Sequence, residues 1–265
     1  MPLQALFTPS NGDQVNLVVQ PELSIVILAY RAEEAIISFV SQVSSQLDAN
    51  SVSNYELVLV ANFDENDRED KTPEIARSLA QTDHRIRVLA EPKKGRMGWD
   101  AREGLAACRG QTVALIDGDG QMPPEDIVRA HKVMTSGEFD FVKTYRIIRE
   151  DGAFRVLSSK GFNFIFRLLF PSCRFRDINS KPKFISRQAL LNMDLTCDGW
   201  FLDGELILEA MRLDLPFAKI PTTFKKNEWR GSFVKLSTVA EMLFSMILFR
   251  LGLNKRKNNG SPDSA

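Results

Sequence analysis

Val113-Ala-Leu-Ile-Asp-Gly-Asp-Gly-Gln121 is the stretch on which the fold and the site turn. Its apolar residues run straight into Asp117, as a buried parallel strand does when it emerges from a sheet at its carboxyl end. Open α/β sheets bind their ligands at that edge. If the chain stays extended through Gln121, a period of two sets Asp117, Asp119 and Gln121 on one side of the backbone. Gly118 and Gly120 between them leave room for a ligand or a neighbouring strand. Carboxylates and an amide oxygen converging there make a hard, oxygen-rich site suited to Mg²⁺ or Mn²⁺, with coordination positions left for phosphates. Met122-Pro-Pro-Glu-Asp126 then starts a helix, with proline in the first turn and acids beside the positive end of the dipole.

Other loops share the D-x-D start. An EF-hand needs Gly at its sixth position and an acid at its twelfth, where this chain has Met122 and Val128. An aspartyl-phosphate phosphatase carries the motif after its first strand, whereas a long α/β pattern precedes it here. A polar turn with no metal leaves alternating acids and an amide after a buried strand without a purpose.

Working outward, Leu23-Ser-Ile-Val-Ile-Leu-Ala-Tyr30 has the composition of a buried strand, and from Glu33 onward Ile36, Ile37, Phe39, Val40, Val43 and Leu47 recur at helical spacing. Tyr55-Glu-Leu-Val-Leu-Val-Ala61 reads as a second strand delivering the acidic loop Asn62-Phe-Asp-Glu-Asn-Asp-Arg68. Pro73 starts a second helix, and Ile86-Arg-Val-Leu89 is a third strand. The β-α-β-α-β order predicts a doubly wound sheet with right-handed crossovers. Glu91-Pro-Lys-Lys-Gly-Arg-Met-Gly98 is then a flexible basic loop on the ligand side, followed by a helix from Trp99 to Cys108. A helix from about Glu125 to Thr135 leads to Phe139-Asp-Phe-Val-Lys-Thr-Tyr145 and Arg146.

Composition bounds the reading. The 265 residues suit one large domain, 44% hydrophobic residues support a core, and a formal net charge of zero argues against a nucleic-acid partner. Cys108, Cys173 and Cys197 are odd in number and lack metal-type spacing, which favours a reducing compartment over a disulfide framework. The N-terminus lacks the features of a secretory signal, and no apolar run reaches the roughly 18–20 residues of a spanning helix. The expectation is a cytoplasmic protein, peripheral at the inner face of a membrane.

These motifs, taken in order, resemble those of family 2 glycosyltransferases of the GT-A fold, specifically the polyprenyl-phosphate (dolichol-phosphate) sugar transferases. The likeness spans about residues 22–250. The family's D-x-D-x-Q metal motif matches Asp117, Asp119 and Gln121, and its Gly-rich segment matches Lys94-Gly95 through Gly98, Ala101 and Gly104. The arginine ending the next strand matches Arg146. R-x-x-x-S-K-G matches Arg155, Ser159, Lys160 and Gly161. D-x-x-S and K-F-x-x-R match Asp177, Ser180, Lys183, Phe184 and Arg187, and R-G-x-S with a nearby lysine looks like Arg230-Gly231-Ser232 and Lys235. Three departures stand out. Ala61 and Asn62 replace the acids after the second strand, Leu28-Ala-Tyr30-Arg31-Ala32 replaces P-x-Y-N-E, and Lys181-Pro182 replaces Gly-Phe. They are expected to affect the nucleotide and sugar while leaving the metal and acceptor sites intact.

The resemblance implies a GT-A fold, Rossmann-like, with a mostly parallel central sheet and helices on both faces, and an inverting single displacement from a GDP- or UDP-linked sugar. Residues 1–22 are then an N-terminal extension, 23–233 the catalytic domain, 234–253 a C-terminal apolar, amphipathic helix and 254–265 a flexible tail. Tyr30, Asn62, Gly95, Arg230 and Lys235 fall on the nucleotide-sugar side. Arg146, Arg155, Ser159, Asp177 and Ser180 fall on the acceptor side. Arg155 and Ser159, four apart on a helix, share one face and can grip a phosphate together, with Arg146 as a second fork. The same helix runs into Phe162-Asn-Phe-Ile-Phe-Arg-Leu-Leu-Phe170, which fits a polyprenyl phosphate at a bilayer surface. Met242-Leu-Phe-Ser-Met-Ile-Leu-Phe-Arg-Leu251, apolar nearly all round and followed by Lys255-Arg-Lys257, suits either a membrane surface or core packing. A phosphate acceptor needs no strong base. A hydroxyl acceptor would need one, for which Asp203 or Glu205 is the candidate. The alternatives to polyprenyl phosphate are thus a sugar or other hydroxyl acceptor, or a non-catalytic pseudo-transferase partner protein.

Overall fold

In a computed structural model, residues 20–150, 152–226 and 236–253 are described. One seven-stranded sheet organises them, in the order β3-β2-β1-β4-β6-β5-β7. The strands are β1 (Leu23–Leu28), β2 (Tyr55–Val60), β3 (Ile86–Leu89), β4 (Thr112–Asp117), β5 (Phe141–Arg149), β6 (Lys183–Ser186) and β7 (Phe217–Phe224). β1 to β4 are mutually parallel, β6 runs antiparallel to both β4 and β5, and β7 lies parallel to β5.

The helices are α1 (Ala35–Ala49), α2 (Thr72–Thr82), α3 (Met97–Ala107), α4 (Glu125–Met134), α5 (Ala153–Leu169), α6 (Arg187–Asn192), α7 (Leu202–Arg212) and α8 (Leu236–Arg250). Alternation along the strands divides them into two layers. Leu23, Ile25 and Ile27 of β1 join Leu57 and Leu59 of β2 under α1, α2 and α4. Val26 and Leu28, with Val58 and Val60, face α3, α5, α7 and α8 on the other side. Strands buried on both faces have to be apolar throughout, which is why the periodic signal is absent from them and the run of β-branched residues identifies them. The doubly wound, mostly parallel sheet expected from the sequence is therefore the observed one.

Two elements differ from expectation. β7 closes the edge of the sheet through Phe217-Ala-Lys-Ile-Pro-Thr-Thr-Phe224, a segment whose Lys219 and Pro221 give no strand signature. Proline is tolerated there because, among the described residues, β7 has a neighbour on one side only. α8 keeps Met242 and Met246 buried against the core while Phe244 and Ile247, with Leu251 just past its end, stay exposed, so it packs and presents an apolar face at once. The first nineteen residues, residues 254–265 with Lys255–Lys257, and the segment holding Arg230 and Lys235 lie outside the described residues.

Candidate active site

Four parallel strands end at the same edge, and the segments after them line one cleft. Tyr30 comes after β1, Asp64 after β2, Lys93 to Met97 after β3, and Asp117, Asp119, Gln121 and Met122 at the end of β4 and beyond it. The cleft has a volume of about 1230 Å³ and continues past β5 to the space between α5 and α8.

The carboxylate cluster is built by a turn. β4 ends at Asp117, and Gly120 adopts φ +69°, which only glycine takes at no cost. Gln121 N–H donates back to Asp119 Oδ1 at 3.1 Å. The chain is thus not extended through Gln121, contrary to the reading from sequence. Asp117, Asp119 and Gln121 nonetheless all line the cleft. Gln121 Nε2 donates to Lys225 O at 2.8 Å, which fixes the amide with its oxygen turned away from that carbonyl. Among the described residues no group of three or more His, Cys, Asp or Glu side chains closes round a cation. A donor set of two carboxylates and one amide oxygen fits an ion that takes its remaining ligands from a diphosphate.

Two lysines reach into this cluster, and sequence reasoning assigned neither to it. β6 pairs antiparallel with β4 so that Lys183 faces Leu115, and continuing that register by two residues sets Lys181 against Asp117. Lys181 Nζ lies 3.2 Å from Asp117 and 2.9 Å from Asp203 Oδ2, and Lys183 Nζ donates to Asp203 Oδ1. Burial alone would push the Asp203 carboxyl up, but the two ammonium groups outweigh it and hold the acid below its ordinary range. Burial likewise lowers Lys181, and Asp117 and Asp203 more than reverse that. The expectation that Lys181-Pro182 leaves the metal site untouched is corrected: the substituted residue is in contact with its first aspartate.

Glu205, the other base candidate, is not among the residues lining the cleft. It is fully buried, accepting from Thr196 N at 2.9 Å, Thr196 Oγ1 at 2.8 Å and Cys197 N at 2.9 Å. It ties down the loop before α7. That loop in turn meets α3: Gly98 N donates to Gly199 O at 2.8 Å, and a Cβ on Gly98 would sit 2.4 Å from the same oxygen. Gly98 therefore serves loop packing, while Gly95 lines the cleft.

Near Tyr30, Asn62 is buried directly behind the cleft wall, donating to Asp100 Oδ1 at 3.0 Å and accepting from Glu91 N at 3.0 Å. Asp100 pairs with Lys93, whose ammonium sits 4.6 Å from the centre of the Tyr30 ring. Burial raises the Asp100 carboxyl against the pull of Lys93 and Asn62. Tyr30, Lys93 and Asp100 line the wall where Asn62 was expected.

Toward the other end, Arg146, Arg149, Arg155, Ser158 and Ser159 line the cleft. The guanidinium carbons of Arg146, Arg149 and Arg155 lie 5.0, 5.7 and 5.8 Å from the centre of the Phe224 ring, which gathers three cations round one ring. Asp177 and Ser180 are not lining residues; they hold this group in place. Asp177 Oδ2 accepts from Arg146 N and Nε, both at 2.8 Å, and Lys143 Nζ donates to Asp177 O at 2.7 Å. Ser180 Oγ and Thr144 Oγ1 share a hydrogen bond of 2.7 Å. Beyond the arginines the walls are Phe162, Ile165, Val239, Met242 and Leu243.

A doubly wound sheet with carboxylates at its carboxyl edge and a cationic wall in the same cleft narrows the class, and comparison with known proteins fixes it. The chain belongs to glycosyl transferase family 2, whose profile matches residues 24–198. Among its relatives, the glycosyltransferase AglD of Haloferax volcanii is 28% identical over 210 residues, covering 77% of this chain and 33% of that protein. An undecaprenyl-phosphate 4-deoxy-4-formamido-L-arabinose transferase of Aeromonas hydrophila is 30% identical over 155 residues, covering 58% and 44%. This chain thus spans between a third and a half of the length of these two relatives. A dolichyl-phosphate beta-glucosyltransferase of Trichomonas vaginalis is 22% identical over 272 residues, covering 96% and 76%. The fold is shared with glucosyl-3-phosphoglycerate synthase from Mycobacterium tuberculosis, solved with Mn²⁺, UDP and glucosyl-3-phosphoglycerate, at a TM-score of 0.66 and 20% identity over 88% of this chain and 81% of that one.

Because Asp203 is enclosed by two buried ammonium groups, its replacement is costly. Asp203→Asn should lower unfolding free energy in urea by about 3–5 kcal/mol, the usual cost of stranding a buried charge. A loss under about 1 kcal/mol, the scale of an exposed pair, would mean that the lysines find other partners.

Proposed function

We propose that this chain transfers a hexose from a nucleotide sugar to the phosphate of a polyprenyl phosphate, with a divalent ion held by Asp117, Asp119 and Gln121. The observation that carries this reading is the continuity of the cleft. One cleft joins carboxylates, an arginine-lined section and an apolar section between α5 and α8. A nucleotide diphosphate, a phosphate monoester and a hydrocarbon chain need those three surroundings.

The reaction is a single displacement at the anomeric carbon. An oxygen of the acceptor phosphate forms the new bond as the bond to the nucleoside diphosphate breaks, and the electron pair leaves with the diphosphate. A divalent ion, when bound, supplies counter-charge to that leaving group. Arg146, Arg149, Arg155 and Ser159 would hold the acceptor phosphate and aim one oxygen at the sugar. Tyr30 and Gly95 would lie along the nucleotide, with Lys93 and Asp100 in the part expected of Asn62. Arg230 and Lys235, which lie outside the described residues, would belong to the nucleotide-sugar side, as the family resemblance implies.

The state of Asp203 favours a phosphate acceptor over a hydroxyl. A general base works best with a pKa near the operating pH and an oxygen within reach of the proton it takes. Both Asp203 oxygens are engaged by lysines and the acid is held below its ordinary range. An acceptor phosphate, whose second pKa is about 6, brings its own negative oxygen.

The apolar end also opens outward. Leu157, Phe164 and Leu168 on α5 are 69–70% exposed, and Phe244, Ile247 and Leu251 at α8 and just past it are 46–63% exposed. No helix among the described residues is long and apolar enough to cross a membrane. Exposed stripes on the two helices that frame the apolar end support shallow insertion at a bilayer surface. The chain should float with anionic liposomes, and a Phe164→Asp, Leu168→Asp pair should abolish flotation without lowering Tm. Failure of the unaltered chain to float would remove the membrane from this account.

Arg155→Ala tests the acceptor site. It should lower kcat/KM for a short polyprenyl phosphate about ten- to hundredfold, the range of a lost charge-assisted contact. Donor affinity measured calorimetrically with Mn²⁺ should stay unchanged. Unchanged kinetics in this variant would contradict a phosphate held by these arginines.

A further inference from the structure

Lys181 is a permanent cation built into the place where a divalent ion is needed. Its side chain is 4% exposed, and its ammonium is shared between Asp117, a proposed metal ligand, and Asp203, while Lys183 takes the second oxygen of Asp203. The charges that face Lys181 are therefore Asp117, Asp203 and the like charge of Lys183. Lys181 also lines the cleft, so it meets whatever enters.

We propose that Lys181 sets the order in which the site fills: it opposes a bare divalent ion and attracts the donor diphosphate, so that ion and nucleotide bind as a pair. A cation approaching Asp117 alone must compete with an ammonium 3.2 Å from that carboxylate. It gains a partly neutralised ligand and acquires a like-charged neighbour. A diphosphate approaching alone meets the opposite field. With both present, the diphosphate would lie beside Lys181 and share the ion with Asp117, whose hold on the ammonium would give way. Lys181 keeps Asp203 as its partner throughout. Lys181-Pro182 stands where the family resemblance leads one to expect the uncharged Gly-Phe, and the device depends on that lysine. It is a positioning role and rests on the metal reading above.

The geometry makes the substitution practicable. Lys181→Met keeps much of the length of the side chain, leaves Asp203 paired to Lys183, and leaves Asp117 36% exposed to water. Its signature is a pair of shifts in opposite directions. Isothermal titration with Mn²⁺ alone should show binding about ten- to hundredfold tighter than in the unaltered chain, the scale of one partly screened charge contact. UDP or GDP titrated in EDTA should bind more weakly, while Lys181→Arg keeps both affinities near the starting values. A structural defect would weaken both ligands together, and that result, or no change in either, overturns the proposal. If Lys181→Met does not fold, Lys181→Gln takes its place with the same pair of opposite shifts expected, and equal Mn²⁺ affinities with and without UDP or GDP in the unaltered chain refute the proposal. Failure of Mn²⁺ to bind even with nucleotide overturns the metal reading itself. Mn²⁺ binding with nucleotide, but no gain for bare Mn²⁺ in Lys181→Met, overturns the Lys181 role alone.

Discussion

Asp203 sits between two buried lysines, and the geometry of the site depends on that arrangement. Lys181 and Lys183 come from β6 and its approach, Asp203 from the first turn of α7, and Asp117 from the end of β4. One charged cluster thus ties the antiparallel strand, the parallel half of the sheet and a helix of the second layer together. Buried charges are tolerable only when every one has a partner, and a cluster linking three elements has few alternative arrangements. The cluster therefore fixes where β6 and α7 stand against the end of β4.

The same cluster divides labour along the cleft. The carboxylates of Asp117 and Asp119 would repel an anionic donor and an anionic acceptor if left uncompensated. Lys181 supplies compensation on one side, and Arg146, Arg149 and Arg155 supply it on the other. The arginines are themselves anchored: Asp177 accepts from Arg146, and the buried Lys143 holds the backbone of Arg176 and Asp177. Burial raises the Asp177 carboxyl, and Arg146 outweighs it, keeping the acid ionised well into the acidic range. Stability from such depressed carboxylates is present above their unfolded values and fades only as pH falls through the folded ones.

Much of this was legible in the sequence, for identifiable reasons. Buried parallel strands have to be apolar on both faces, so β1, β2 and β4 announced themselves as runs, and the D-x-D motif marked the sheet edge along which the cleft lies. β7 was not legible, because an edge strand tolerates Pro221 and Lys219 and buries only part of its surface. The role of Gly98 was hidden because its neighbour, Gly199, is distant in the chain. Glu205 looked like a base beside Asp203, but helical residues two apart point in different directions, and Glu205 turns to the 196–197 loop. Lys181 was visible only as a departure from a family pattern. Its contact with Asp117 comes from an antiparallel register that no local pattern encodes.

In the proposed reaction a phosphate, not a hydroxyl, receives the sugar. Two acceptors of identical chain length, a short polyprenyl phosphate and the corresponding polyprenol, each offered with a labelled nucleotide sugar and Mn²⁺, distinguish the two. The account predicts label in the organic phase with the phosphate and none above background with the alcohol. Equal labelling of both, or labelling of the alcohol alone, would contradict it.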